Sequence, residues 1–286
     1  MVSSRHIPEP LVNHWSHNAK QWQHIGEPLR PASADIQKIV SWIPDLRQTD
    51  STPFNVLLLG ATPELAAISW PVSTRLWVID ACIDMIQELL GKKKLSISPN
   101  LSVGNWLQLP LPDSLIDLVV GDGCFSMLAA DNYDNFTREI LRVLKPSGYC
   151  CMRFFIRPAE QESIARIHAD FLAGKVNNFH ALKWRIAMAL QRSLQEGVRL
   201  HDIWNIWNHY FKNQSDYFSW SEEIGNTIEI YKNNPTIYTF PSLMELKACL
   251  DNKFKSLDFY KPAYTLGERC PIFKLQSLDG ALNEKY

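Results

Sequence analysis

A glycine and a carboxylate twenty residues apart, Gly60 and Asp80, are the residues best spaced for chemistry. Gly60 follows the apolar run Asn55-Val56-Leu57-Leu58-Leu59 and leads into Ala61-Thr62-Pro63-Glu64. Asp80 ends a second apolar run, Leu76-Trp77-Val78-Ile79. A short strand, a tight turn into a helix and a second strand ending on an acid form the first half of a nucleotide-binding α/β unit. The two oxygens of Asp80 can accept hydrogen bonds from both hydroxyls of a ribose, or the acid can cap the helix that follows. Gly60 leaves its backbone bare where a ligand must come close.

Other reactive types are scattered. Gly121-Asp122-Gly123-Cys124-Phe125 follows a later apolar run, with two glycines flanking an acid. Cys124 reads as buried packing rather than a nucleophile. His201, Asp202, His209 and Tyr210 lie on an aromatic stretch and are weak candidates for a general base; no catalytic residue stands out. Arg153 and Arg157 can face an acidic substrate. Arg30, in the stiff Pro28-Leu29-Arg30-Pro31 stretch, can reach a carboxylate bidentately, or the stretch can be a surface arm tied down by Trp15 and Trp22. His14 and His17 lack Cys or acid partners, so no metal site is expected.

The elements that position these residues follow from periodicity. Strands are expected at Asn55–Leu59, Arg75–Ile79, Asn100–Val103, Ile116–Val120 and Tyr149–Phe155, and near the C-terminal end at Phe254–Tyr260 and Cys270–Leu275. Thr62 and Pro63 suit the cap and first turn of a helix directly after Gly60. Ile83, Met85, Ile86, Leu89 and Leu90 recur at helical spacing up to Gly91, and residues 131–144 form a further helix. Alternating strands and helices argue for a parallel sheet covered on both faces. From Pro158 to about Asn234 no good strand is visible. Three amphipathic helices are expected there, around Ile164–Leu172, Leu182–Leu194 and Leu200–Phe211, rich in tryptophan. Those aromatics form a helical core, and some can also line a pocket.

Composition narrows the class. The chain has 286 residues, formal net charge -1 and no long run of like charge beyond Lys92-Lys93-Lys94, which disfavours a nucleic-acid surface. Six cysteines without a C-x-x-C pair read as free thiols in a reducing compartment. Residues 1–15 contain no apolar leader and no stretch is long enough to span a bilayer, so a cytoplasmic protein without membrane contact is expected.

The passage Arg138-Glu139-Ile140-Leu141-Arg142-Val143-Leu144-Lys145-Pro146-Ser147-Gly148-Tyr149 resembles the helix-to-strand segment of class I S-adenosylmethionine-dependent methyltransferases. Gly60, Asp80, the Val103-Gly104-Asn105-Trp106 and Leu109-Pro110-Leu111-Pro112-Asp113 stretches and Tyr238-Thr239-Phe240-Pro241-Ser242 fall in that family's order. The nearest pattern is a bacterial branch with a Gly-x-Thr-Pro-Glu turn. The first motif departs from the usual one: Leu58 replaces an acid, and Thr62 and Glu64 stand where glycines are common. The resemblance implies a Rossmann-like, seven-stranded, mostly parallel sheet with helices on both faces, its last strand antiparallel. It places the cofactor S-adenosylmethionine, or its product S-adenosylhomocysteine, against Gly60, Ala61, Thr62, Glu64, Asp80, Ala81, Met85, Asn105, Trp106, Gly121 and Asp122, with Arg30 from the arm. Glu64 is either an acceptor for the amino group of the cofactor's methionine moiety or a first-turn acid.

The chain therefore divides into an N-terminal helical arm over 1–52, an α/β core over 53–157 and 237–286, and an all-helical insertion over 158–236 that would act as a substrate lid. Methyl transfer to a small acceptor by in-line displacement is the function implied. Two rivals stay open: an RNA or protein methyltransferase, and a degenerate cofactor-binding partner subunit. A nicotinamide-dependent oxidoreductase is remote because Gly-x-Gly-x-x-Gly is absent.

Overall fold

The fold is described from a computed structural model over residues 9–47, 53–91, 93–213 and 220–278. The ends of the N-terminal arm and Lys92 of the basic run lie outside these residues, as does the stretch where an apolar leader would begin.

Seven strands form one sheet: β1 (Phe54–Leu59), β2 (Thr74–Asp80), β3 (Asn100–Val103), β4 (Ile116–Asp122), β5 (Leu144–Arg153), β8 (Phe254–Tyr260) and β9 (Ile272–Ser277). Their order is β3-β2-β1-β4-β5-β9-β8, and β9 alone runs antiparallel to its neighbours. The seven-stranded, mostly parallel sheet with an antiparallel last strand, implied by the resemblance, is found. Alternation on the strands supplies two cores. Val56 and Leu58 face one side, with Cys151, and Leu57 and Leu59 face the other, with Cys150. Each such fully buried aliphatic side chain contributes about 1.5–3 kcal/mol.

Helices cover both faces. They include α1 (Glu9–Gln21) and α2 (Ser33–Leu46) from the arm, α3 (Pro63–Ala66), α4 (Ile83–Leu89), α5 (Tyr133–Val143) and, late in the chain, α10 (Leu243–Leu250). The last opens on a capping box between Ser242 and Glu245, the Ser-x-x-Glu signal visible in the sequence. Helix α3 is only four residues long, and Thr62 caps it without a side-chain hydrogen bond. The Lys145–Gly148 turn does not precede β5. It is looped out of the strand, between the pairs Ile116–Leu144 and Leu118–Tyr149.

Between β5 and β7 (Ile237–Tyr238) lie α6 (Ile164–Leu172), α7 (Phe179–Leu190), α8 (Leu200–Ile206), which continues with wider, π-type winding over Trp207–Phe211, and α9 (Glu222–Asn226). A short strand, β6 (Val198–Arg199), pairs antiparallel with β7. Two residues are too few to show a period, so this strand was not expected. Phe171, Phe179, Trp184 and Trp207 pack into a third core with Tyr231 and Tyr238.

His14 and His180 join the arm to these helices as neutral rings. His14 Nε2 lies 2.6 Å from the Tyr238 hydroxyl and 2.9 Å from Asn18 Nδ2, and His180 Nε2 lies 3.0 Å from the His24 carbonyl oxygen. Burial, and next the charge of Lys183, pulls each ring down from 6.5 to about 3. Above pH 6.5 neither folded nor unfolded rings are charged. As pH falls from 6.5 toward about 3, the unfolded chain takes up protons that the folded chain refuses, and stability drops. Each ring should remove up to about 1.4 kcal/mol per pH unit in that window. Urea unfolding at neutral and mildly acidic pH tests this. Stability should fall less steeply in His180→Gln than in the parent chain, and equal slopes would contradict the assignment.

Candidate functional site

Strand order reverses direction at β1: the chain moves outward through β2 and β3, then returns to add β4 on the other side. A crevice opens beyond the carboxyl ends of the strands at such a switch point. Here it is a cavity of about 570 Å³. Leu59 and Gly60 from the end of β1, Asp80 from β2 and Asp122 from β4 line one side. Trp15, Asn18 and Trp22 from the arm, and Trp184, Gln195, Tyr231, Thr236 and Tyr238 from the later chain, line the rest. That volume lies in the range of roughly 300–1,000 Å³ that suits small organic ligands.

Asp80 is built to present its carboxylate. Its Oδ2 accepts the Ala61 N–H and its Oδ1 the Cys82 N–H, each at 2.8 Å. Burial pushes its carboxyl up, against these backbone donors. The Ala81 N–H acts on the same carboxylate, and of its roughly four lone-pair positions at least one stays open to a ligand. Gly60 has φ +88°, a conformation that favours glycine. A Cβ there would lie 3.5 Å from the Trp106 ring and 3.8 Å from Asp80 Oδ2. Trp106 is fixed by its Nε1–H, which donates to the Ile79 carbonyl at 2.9 Å. Asn105 Oδ1 accepts the Leu107 N–H at 2.9 Å and so holds that loop in place.

Of the expected ligand-binding residues, Gly60, Ala61, Thr62, Asp80, Ala81, Met85, Asn105, Trp106 and Asp122 line this one cavity. Arg30, Glu64 and Gly121 do not. Arg30 donates its Nε–H to Glu64 Oε1, and the two face a neighbouring groove shared with Glu27 and Gln37. Gly121 is a glycine for packing: a Cβ would lie 2.8 Å from Cys124 Sγ and 3.1 Å from Met152 Cε. The weak base candidates also stand apart from the cavity. His201 Nδ1 accepts the Asn233 N–H and its ring stacks on Trp204, while Asp202, His209 and Tyr210 are exposed.

The two arginines are engaged. Arg157 Nη2 contacts both oxygens of Glu245 at 3.0 Å. Arg153 is fully buried and grips Asp122 through Nε and Nη2, at 2.6 and 3.0 Å. Its Nη1 donates to the Pro28 carbonyl and to the Tyr264 hydroxyl, and lies 3.7 Å from Asp35. Cys124 is buried, and its thiol is pushed up by burial and by Asp122. No group of three or more His, Cys, Asp or Glu side chains that could hold a metal stands together among the described residues, and no described helix is long and apolar enough to cross a membrane.

Tyr231, Thr236 and Gln195 were not singled out in the sequence, and Tyr238 appeared only inside a motif. Tyr231 is buried, and burial alone pushes its phenol up, with no hydrogen bond from a described residue offsetting it. The one hint in the sequence was the aromatic content of this segment.

Residues 60–152 match the family described as methyltransferase domain. The ubiquinone/menaquinone biosynthesis C-methyltransferase of Rubrivivax gelatinosus is 33% identical over 98 residues, 34% of this chain and 38% of that protein. The match thus spans well under half the length of that relative. A Rhodobacter sphaeroides structure carrying the name of a Zn-dependent alcohol dehydrogenase aligns with TM-score 0.61 at 12% identity, over 95% of this chain and 99% of that one. The 1,6-didemethyltoxoflavin-N1-methyltransferase of Burkholderia thailandensis, with 1,6-didemethyltoxoflavin and S-adenosylhomocysteine bound, aligns with TM-score 0.52 at 12% identity, over 98% and 94%. At such identities the structural likeness is one of fold. The matched region, residues 60–152, is thus similar to a methyltransferase domain and carries Gly60, Asp80, Trp106 and Asp122 of the cavity.

Proposed function

We propose that the chain transfers a methyl group from S-adenosylmethionine to a small-molecule acceptor held in the same cavity. The observation that carries this reading is Asp80, a strand-end carboxylate held by backbone N–H groups and lining the cavity beside Gly60, where a ribose hydroxyl could donate to it. Gly60, Ala61 and Thr62 would back the cofactor, Ala81, Met85, Asn105 and Trp106 would border its base, and Asp122 would accept from its amino group. The cofactor supplies a methyl group already activated on a sulfonium.

The chain's own residues have to orient the acceptor and exclude water. Trp15, Trp22, Phe155 and Trp184 give the remaining wall an apolar, aromatic character. Such a wall suits a flat small molecule better than an RNA or protein segment. We assign to residues 158–236 the role of a lid that chooses the acceptor; in support, Trp184, Gln195, Tyr231, Pro235 and Thr236 line the same cavity as Gly60 and Asp80.

Calorimetric titration with S-adenosylhomocysteine tests the cofactor site. Asp80→Ala should weaken binding by about 1–3 kcal/mol, since two hydroxyls lose a charged acceptor. Asp80→Asn, which keeps one acceptor oxygen, should lose less. Unchanged affinity in a folded Asp80→Ala chain would reduce Asp80 to a helix cap. Hydrogen exchange tests the lid: residues 158–213 and 220–236 should gain protection with S-adenosylhomocysteine bound, and equal protection in both states would contradict the assignment.

A further inference from the structure

Lys183 is a buried cation without a counter-ion. It lies on α7, is 1% exposed, and its Nζ donates to Thr227 Oγ1 at 2.8 Å. The ammonium sits over two rings, 5.3 Å from the Phe179 centroid and 5.5 Å from that of Tyr231. No carboxylate among the described residues pairs with it, and burial alone pulls it down to about 7. The titratable groups around it are His14 on α1, His180 on α7 and the Tyr231 phenol, none of them an acid. A buried ammonium held by one hydroxyl and two rings lowers stability relative to an apolar residue of the same size. Lys183 does not itself line the cavity, but its chain neighbour Trp184 and its ring partner Tyr231 do.

Tyr231 belongs to both surroundings: its ring lies 5.5 Å from the ammonium, and the residue lines the cavity. Among the described residues, the acidic side chains that line the cavity are Asp80 and Asp122, both at the strand ends, and Asp122 is paired with Arg153. The wall made by Trp184, Gln195, Tyr231, Thr236 and Tyr238 holds no carboxylate and no histidine that could serve as base. Lys183 is buried behind this wall's residues, and a charge out of water acts at longer range than one in it. An acceptor there lies between the ammonium and, on the reading proposed above, a sulfonium. An amine that must enter as an ammonium is repelled from both sides.

We propose that Lys183 makes this cavity select flat phenols or enols and hold them as their anions, which takes the place of a general base. This inference rests on the methyl-transfer reading. The acceptor's proton leaves to solvent on binding. The acceptor oxygen or its conjugated carbon then bonds to the methyl, the sulfur–methyl bond breaks, and its electron pair stays on sulfur. Tyr231 and Tyr238 remain neutral phenols and contribute hydrogen bonds and ring surface, since burial pushes both well up.

The probe is 4-nitrophenol, whose colour reports its ionisation, titrated into the full chain saturated with S-adenosylhomocysteine. Bound 4-nitrophenol should ionise about one pH unit lower than in solution, a tenfold change in its ionisation constant. That shift should vanish in Lys183→Met, which matches the length of the side chain without its charge. Thr227→Val, which removes the oxygen partner of the ammonium, should weaken the shift and serves if Lys183→Met does not fold. A probe that fails to bind at millimolar concentration, ionises as in free solution, or keeps its shift in a folded Lys183→Met chain overturns the proposal. So does tighter binding of 4-nitrobenzylamine than of 4-nitrophenol. Calorimetry separates the two readings: if S-adenosylhomocysteine binds and the phenol does not shift, only the role of Lys183 fails. If S-adenosylhomocysteine does not bind, the methyl-transfer reading fails first.

Discussion

The grip of Arg153 on Asp122 is the constraint on which the rest of the site depends. The two residues are ladder partners at the carboxyl ends of β4 and β5, so the sheet itself sets their separation. A fully buried guanidinium must fill its donor positions, and here they reach Asp122, the Pro28 carbonyl and the Tyr264 hydroxyl. Tyr264 in turn donates to Asp35, whose carboxylate also accepts the Ala32 N–H at the start of α2. One side chain thus fastens the arm, the second helix and the connection before β9 to the strand ends. Replacing such a pair with apolar residues is often neutral, whereas losing one partner typically costs about 3–5 kcal/mol. The value of the ion pair lies in position: it fixes the arm's turn beside the cavity and sets the direction of Asp122.

With the arm fixed, the cavity has two unlike halves. Strand ends supply one, where backbone geometry places Gly60, Asp80 and Trp106 within a few ångströms of each other. Helices of the arm and the later chain supply the other, where aromatic rings and the His14–Tyr238 contact replace backbone order. Charge is sparse throughout. Asp80 is held by N–H groups, Asp122 by Arg153, and Lys183 by a hydroxyl and two rings. An isolated charge in such a place has a long reach, which is why one ammonium can set the character of a wall.

This division also explains what was legible in the sequence. Strand, turn, helix and strand-end acid are local, so Gly60 and Asp80 could be placed from spacing, Asn105 and Trp106 followed from the family resemblance, and β3 was expected with its observed bounds, Asn100–Val103. The opposite wall is assembled across the chain: His14 meets Tyr238 over 224 residues of separation, which no local period encodes. Arg30 was open between a carboxylate contact and a surface arm, and Glu64 between an amino-group acceptor and a first-turn acid; the fold pairs the two with each other, a contact across 34 residues that spacing does not show. At Gly121 packing alone requires a glycine, since Cys124 and Met152 occupy the space of a Cβ. Lys183 could have been noticed, since it is a cation between Leu182 and Trp184 on a helix that also carries Phe179, Ile186 and Ala187. Its missing counter-ion is a fact of packing alone.

The most direct test of the account is a crystal structure of the chain with S-adenosylhomocysteine. The account predicts both ribose hydroxyls within hydrogen-bond distance of Asp80 Oδ1 and Oδ2, the base beside Trp106, and the sulfur turned toward the wall of Tyr231 and Tyr238. A ligand bound instead in the groove of Arg30 and Glu64, or a ribose that does not touch Asp80, would contradict it.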